Sequence, residues 1–164
     1  MKRIWAPWRM GYILGNKQAG CVFCQALRAN KDAANHILCR STKSALMLNL
    51  YPYTNGHMMV VPFLHTGELL DLDGETLADM MALTQQAVRL LREAMAPHGF
   101  NLGLNLGQAA GAGIQDHVHI HIVPRWENDT NFMPVLGDVR VIPESLDATY
   151  EKLEAALGTK EGSA

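Results

Sequence analysis

At 164 residues, 48% of them hydrophobic and 18% charged, the chain has the size and composition of one globular domain, able to bury about two-thirds of its unfolded surface. A net charge of −2 gives no electrostatic basis for a nucleic-acid polymer as partner, and no stretch approaches the roughly 20 apolar residues of a membrane helix. Three cysteines, two of them spaced C-x-x-C, argue against a secreted disulfide framework and for a metal or redox role in a reducing cytoplasm.

The first residues, Met1-Lys2-Arg3-Ile4-Trp5-Ala6-Pro7-Trp8-Arg9, are basic, but no long apolar run or small-residue cleavage site follows, so they do not read as a signal peptide. Alternation and continuous apolar runs predict strands over 37–40, 45–50 and 57–63, with the proline and glycine of Tyr51-Pro52-Tyr53-Thr54-Asn55-Gly56 marking a hairpin turn. Leu77, Met81, Thr84, Val88, Leu91 and Met95 then recur at helical spacing, after Asp73 as a cap and before Pro97 and Gly99. They predict a long amphipathic helix packed on the core. Further strands are predicted over 101–106 and 117–124, and a short helix over 143–157 carrying Leu146, Tyr150, Leu153 and Leu157. The segment 158–164 reads as a flexible tail. Hairpin-like spacing between strands favours an α+β fold with an antiparallel five-stranded sheet, residues 1–157 forming one domain.

The densest concentration of chemistry is Asp116-His117-Val118-His119-Ile120-His121-Ile122-Val123-Pro124-Arg125. In an extended strand, every second side chain lies on the same face, roughly 7 Å further along. The three imidazoles therefore share one surface while Val118, Ile120 and Ile122 turn to the core. Imidazole can be nucleophile, acid, base or metal ligand near neutral pH, so such a face suits a phosphate or metal site. Upstream, Asn105-Leu106-Gly107-Gln108-Ala109-Ala110-Gly111-Ala112-Gly113-Ile114-Gln115 is a glycine-rich loop whose main-chain N–H groups can cradle an anion.

The histidine strand, this loop and Asn55-Gly56-His57-Met58-Met59-Val60-Val61-Pro62 together resemble the histidine triad (HIT) family of nucleotidyl hydrolases and transferases, over roughly residues 20 to 126. Ile4-Trp5-Ala6-Pro7-Trp8-Arg9-Met10, Pro124-Arg125-Trp126 and Asp129-Thr130-Asn131-Phe132-Met133 look like the branch that cleaves dinucleoside polyphosphates, diadenosine tetraphosphate phosphorylases included. The resemblance implies a HIT-like sheet with one long helix and homodimers that join two sheets into one. It makes His119 the nucleophile, forming a covalent nucleotidyl-histidine, with His121 on the same face holding a phosphate oxygen. It matches Asn49 to a ribose contact, and Asn105 and the backbone from Gly111 to Gly113 to phosphate contacts. Where many relatives carry glutamine or serine, this chain has Gly113, so the backbone N–H or Gln115 must replace that contact. His57 matches a histidine near the site, either catalytic or bonding its own loop. An unperturbed imidazole nucleophile would lose activity below about pH 6.5.

Cys21 and Cys24, with His65 and His117, match a structural zinc set in some relatives, and two cysteines with two histidines make a closed tetrahedral site. His117 would then be a ligand and no longer a mobile acid or base. A redox C-x-x-C and two unconnected thiols are the alternatives, and Cys39 reads as a small buried residue. Magnesium, if used, would arrive with the polyphosphate, because no carboxylate cluster marks a site for it. Trp5, Trp8 and Trp126 offer either base stacking or packing, and His36 and His98 read as structural. Phosphorylase, hydrolase, nucleoside phosphoramidase and non-catalytic nucleotide-binding module all remain open at the level of sequence.

Overall fold

The computed structural model describes residues 20–129 and 142–161. Trp5, Trp8 and the segment 130–133, which carry part of the subfamily resemblance, lie outside the described residues. Five strands, β1 (Ile37–Arg40), β2 (Ser44–Leu48), β3 (Met58–Pro62), β4 (Gly99–Leu104) and β5 (Ile120–Arg125), form one antiparallel sheet in the order β1-β2-β3-β5-β4. Among the described residues three α-helices accompany it: α1 (Val22–Arg28), the long α2 (Gly74–Met95) and α3 (Leu146–Glu161). The sequence reading did not include α1, a seven-residue helix too short for periodicity to register.

The sheet divides its side chains strictly. Leu46, Leu48, Met58, Val60, Val118, Ile120 and Ile122 join α2 and α3 in the larger core, whereas Ala45, Met47, Met59 and Val61 meet Phe23 and Leu27 of α1 on the opposite face. Most of these residues are almost wholly shielded from solvent, and each buried Leu, Ile or Met contributes on the order of 1.5–3 kcal/mol of transfer free energy.

Helix α2 starts where expected, with the Asp73 carboxylate accepting from the Thr76 N–H at 2.7 Å. Its core face is rotated from the predicted one. Met80, Leu83, Thr84, Ala87, Leu90 and Leu91 are buried, while Leu77 and Met81 are 41% and 53% exposed. Helix α3 takes up the other side of α2, which draws positions 80, 83, 87 and 90 inward. Helix α3 itself continues through Gly158 to Glu161, past its predicted end.

The histidine strand also begins later than its pattern implies. β5 starts at Ile120, with Val60↔Ile120 the last β3 pair, and Pro62 has no N–H with which to extend the ladder. Residues 117–119 are held by substitutes instead: the Val118 N–H donates to the Thr66 carbonyl at 2.7 Å, and the Pro62 carbonyl accepts from the His117 side chain. The alternation of faces survives because Val118 stays in the same core as Ile120 and Ile122.

The turn before β3 is tied down from three sides. Thr54 Oγ1 donates to the Pro124 carbonyl, Asn55 Nδ2 donates to Glu144, and Thr149 Oγ1 donates to Asn55 Oδ1, each at 2.9 Å. Gly56 has φ +77°, and a Cβ there would come within 2.8 Å of Met95 Sδ and 3.0 Å of Leu91 Cδ2. Gly56→Ala is therefore expected to cost about 1–3 kcal/mol through backbone strain and overpacking, read as a lower urea midpoint at unchanged m-value. An unchanged midpoint would show that the turn tolerates a Cβ.

Candidate functional site

His119 is 5% exposed, and its Nδ1–H donates to the His117 carbonyl at 2.9 Å. A carbonyl only accepts, so this bond keeps the proton on Nδ1 and leaves the lone pair on Nε2. Burial holds the group below its ordinary value, opposed by that hydrogen bond. The result is a neutral imidazole with a defined nucleophilic nitrogen.

His121 lies beside it, with ring centroids 4.6 Å apart, and its protonation pattern is set from the other side. The Tyr53 N–H donates to His57 Nδ1 at 3.1 Å, which leaves the His57 proton on Nε2, 3.0 Å from His121 Nδ1. His57 donates there, so the neutral form of His121 carries its own proton on Nε2. Burial and the charge of His119 push His121 down to about 4. One rigid face thus presents a neutral acceptor at His119 and a neutral donor at His121. His57 is fully buried and performs this orientation, a role that sequence left open because only the tertiary pairing Met59↔His121 brings β3 alongside.

His117 belongs to a different cluster. Its Nε2–H donates to the Pro62 carbonyl at 2.8 Å, so Nδ1 carries a lone pair toward Cys21 Sγ at 3.3 Å, Cys24 Sγ at 3.6 Å and His65 Nδ1 at 3.3 Å. One donor atom from each of Cys21, Cys24, His65 and His117 lies within 4.8 Å of all the others. The four residues suit a tetrahedral borderline cation, and the His117–Pro62 bond is the outer contact that fixes a metal-binding imidazole. Burial and the neighbouring Cys21 raise the Cys24 thiol, a cost that a bound cation would remove. Among the described residues no carboxylate cluster offers magnesium a comparable site.

The other predicted contacts fall at different distances from this centre. Asn49 sits against His57, with Nδ2 at 3.4 Å from Nδ1 and Oδ1 accepting from the Tyr51 N–H at 2.9 Å. Asn105 follows Leu104, which pairs with Ile120, so it stands at the neck of the loop that returns to His119. Gly111 has φ +83° and requires glycine, whereas Gly113 has neither a positive φ nor a close neighbour. Gln115 lines a cavity of about 380 Å³ with His65, Glu68 and Asp116, whose two carboxylates disfavour an anion. A Cβ on Gly67 would lie 2.3 Å from the Gln115 carbonyl, so loop and β3–α2 connection touch there. Trp126 donates its indole N–H to the Met95 carbonyl at 3.4 Å, which makes it a packing residue at the end of α2.

A sequence model of the HIT domain matches residues 30–128. The chain belongs to the histidine triad family. It is 39% identical over 162 residues to an AP-4-A phosphorylase of Mycobacterium tuberculosis, an alignment covering 93% of this chain and 83% of that protein. It is 26% identical to an adenosine 5′-monophosphoramidase of Schizosaccharomyces pombe, over 84% of this chain and 98% of that one. Its fold superposes with a TM-score of 0.71 on the crystal structure of a zinc-bound histidine triad protein from Mycobacterium smegmatis, 32% identical, covering 88% of this chain and 98% of the other.

The hydrogen bonds fix three tautomers that nitrogen-15 NMR can read. His119 should titrate below the ordinary value of about 6.5 and be the Nδ1–H form when neutral, with His57 and His121 as Nε2–H forms. An Nε2–H tautomer at His119 would break the assignment of its nucleophilic nitrogen.

Proposed function

We propose that this protein cleaves dinucleoside polyphosphates of the diadenosine tetraphosphate type by passing a nucleotidyl group through His119. The observation that carries the reading is the pairing of the free Nε2 lone pair of His119 with the Nε2–H of His121 on one face. In the first step His119 Nε2 forms a bond to the α-phosphorus as the bond to the bridging oxygen breaks, releasing ATP. In the second, an acceptor oxygen attacks the same phosphorus and the N–P bond breaks, restoring the lone pair. His121 donates to a phosphoryl oxygen and offsets charge that builds up in each transition state. Asn105 and the backbone around Gly111 contribute loop contacts to phosphate, and Asn49 serves the ribose edge through its place beside His57.

Similarity to the AP-4-A phosphorylase favours inorganic phosphate as acceptor, giving ADP plus ATP. Incubating the protein with diadenosine tetraphosphate with and without phosphate tests this: ADP and ATP formed only with phosphate support it, whereas AMP and ATP formed without phosphate make water the acceptor. Likeness to the phosphoramidase favours a second reading, the same transfer with an amine as leaving group, which predicts faster cleavage of nucleoside phosphoramidates than of dinucleotides. A non-catalytic nucleotide-binding module would turn over neither. His119→Ala should lower kcat by roughly a thousandfold or more while nucleotide binding persists. Because burial holds His119 and His121 low, and His119 must be neutral to attack, the acid limb of kcat/KM should lie below pH 6.5 and not at it. A limb at or above that value would contradict the burial argument.

The Cys21, Cys24, His65 and His117 set fits structural zinc, with four protein ligands and no open position for substrate. Bound there, zinc would supply charge and rigidity and not a reacting group. One zinc per chain by elemental analysis, and about 2.7 kcal/mol of stability on adding zinc at a hundredfold its Kd, are expected. Two titratable thiols in metal-free protein as purified would refute it.

The protein pairs with a second copy along β4. Among the described residues this strand has one neighbour, and Leu102 and Leu104 are 52% and 36% exposed on it. Met81, Val88 and Arg92 share one face of α2, and Arg92 lies 5.8 Å over the Phe100 ring of β4, so the exposed Met81 borders the same edge. A twofold mate would cover edge and helix face together. Leu102→Asp should convert a sedimenting dimer to monomer; a wild-type monomer would overturn the pairing.

A further inference from the structure

Phe23 stands between the two cysteines of the metal set, is 3% exposed and touches both histidine systems. Its ring is edge-on to His117 at a centroid distance of 5.4 Å and an interplanar angle of 79°, and to His119 at 4.9 Å and 62°. It is also the largest side chain of the smaller core, where it meets Leu27, Met47 and Met59. Among the described residues no other side chain makes ring contacts with both a member of the Cys/His cluster and His119.

We propose that Phe23 is a positioning residue that couples occupancy of the Cys21, Cys24, His65 and His117 set to the orientation of His119. The inference rests on the reading of His119 as nucleophile. Its logic is short. Cys21 and Cys24 flank Phe23, so a metal held by both thiolates fixes the backbone that carries the ring. The ring covers one side of the His119 imidazole, which has a single hydrogen bond, to the His117 carbonyl, to hold it. With the metal gone, the two thiols have no shared ligand, the Cys21–Cys24 turn is released and the ring no longer confines His119. Edge-to-face contacts of this kind depend on geometry, so they transmit displacement of the first turn of α1 to the imidazole.

The test reads His119 directly. Zinc-loaded and chelator-stripped protein are treated with diethyl pyrocarbonate, and acylation is mapped by mass spectrometry at His119 and at His57, whose full burial makes it a gauge of unfolding. In wild type, stripping should accelerate His119 acylation several-fold with His57 still protected. In Phe23→Ala, zinc content should stay at one per chain, His119 acylation should be fast in both states, and kcat should fall by roughly a hundredfold with KM changed less. Phe23→Leu, which keeps apolar volume and therefore the fold, should show the same loss of metal dependence. Equal metal dependence in variant and wild type, no metal dependence in wild type, loss of zinc along with the ring, or labelling of His57 in step with His119 would each overturn the proposal. Because acylation needs no nucleotide, failure here is separate from failure of the cleavage reaction.

Discussion

The burial of Val118, Ile120 and Ile122 in one core is the constraint from which the rest of the site follows. An extended chain cannot bury those three without presenting His117, His119 and His121 on the opposite side. Moving any imidazole to the other face would take an apolar side chain out of the core and put a polar ring into it, a change whose cost rises with every residue of the segment. The hydrophobic effect thus fixes the geometry of the histidine face, and α2 is the mass of apolar surface that enforces it.

Hydrogen-bond direction then gives the three imidazoles different chemistry. Backbone carbonyls at Pro62 and His117 accept only, and the Tyr53 amide donates only, so the tautomers of His117, His119 and the His57–His121 pair are set without any charged side chain. Pro62 is the origin of one branch. Lacking an N–H, it ends the β3–β5 ladder early, and its free carbonyl turns His117 so that Nδ1 faces the thiols. The same sequence repeat therefore turns one imidazole toward the thiols, leaves a second with an Nε2 lone pair and makes the third a donor, separated by which main-chain atom each ring meets.

The strand pattern, the long helix with its Asp73 cap and the grouping of Cys21, Cys24, His65 and His117 were legible in the sequence, because each rests on local periodicity or on residue chemistry. What was not legible depended on packing between distant segments. The inward face of α2 is chosen by α3, which joins it from more than fifty positions away, so Leu77 and Met81 took the wrong side in a reading of α2 alone. The late start of β5 follows from the strand it pairs with. The short α1 offers too few turns for a periodic signal, yet it places Phe23 against both His117 and His119. Gln115 shares a cavity with Glu68 and Asp116, a neighbourhood that no linear spacing encodes.

The central claim is that His119 carries the nucleotidyl group. Mixing the protein with labelled diadenosine tetraphosphate, quenching within a single turnover and mapping the label by peptide mass spectrometry addresses it most directly. An adenylyl adduct on His119, formed before product release and removed when acceptor is added, is the predicted result. Turnover at full rate with no adduct, or with the adduct on another residue, would contradict the account.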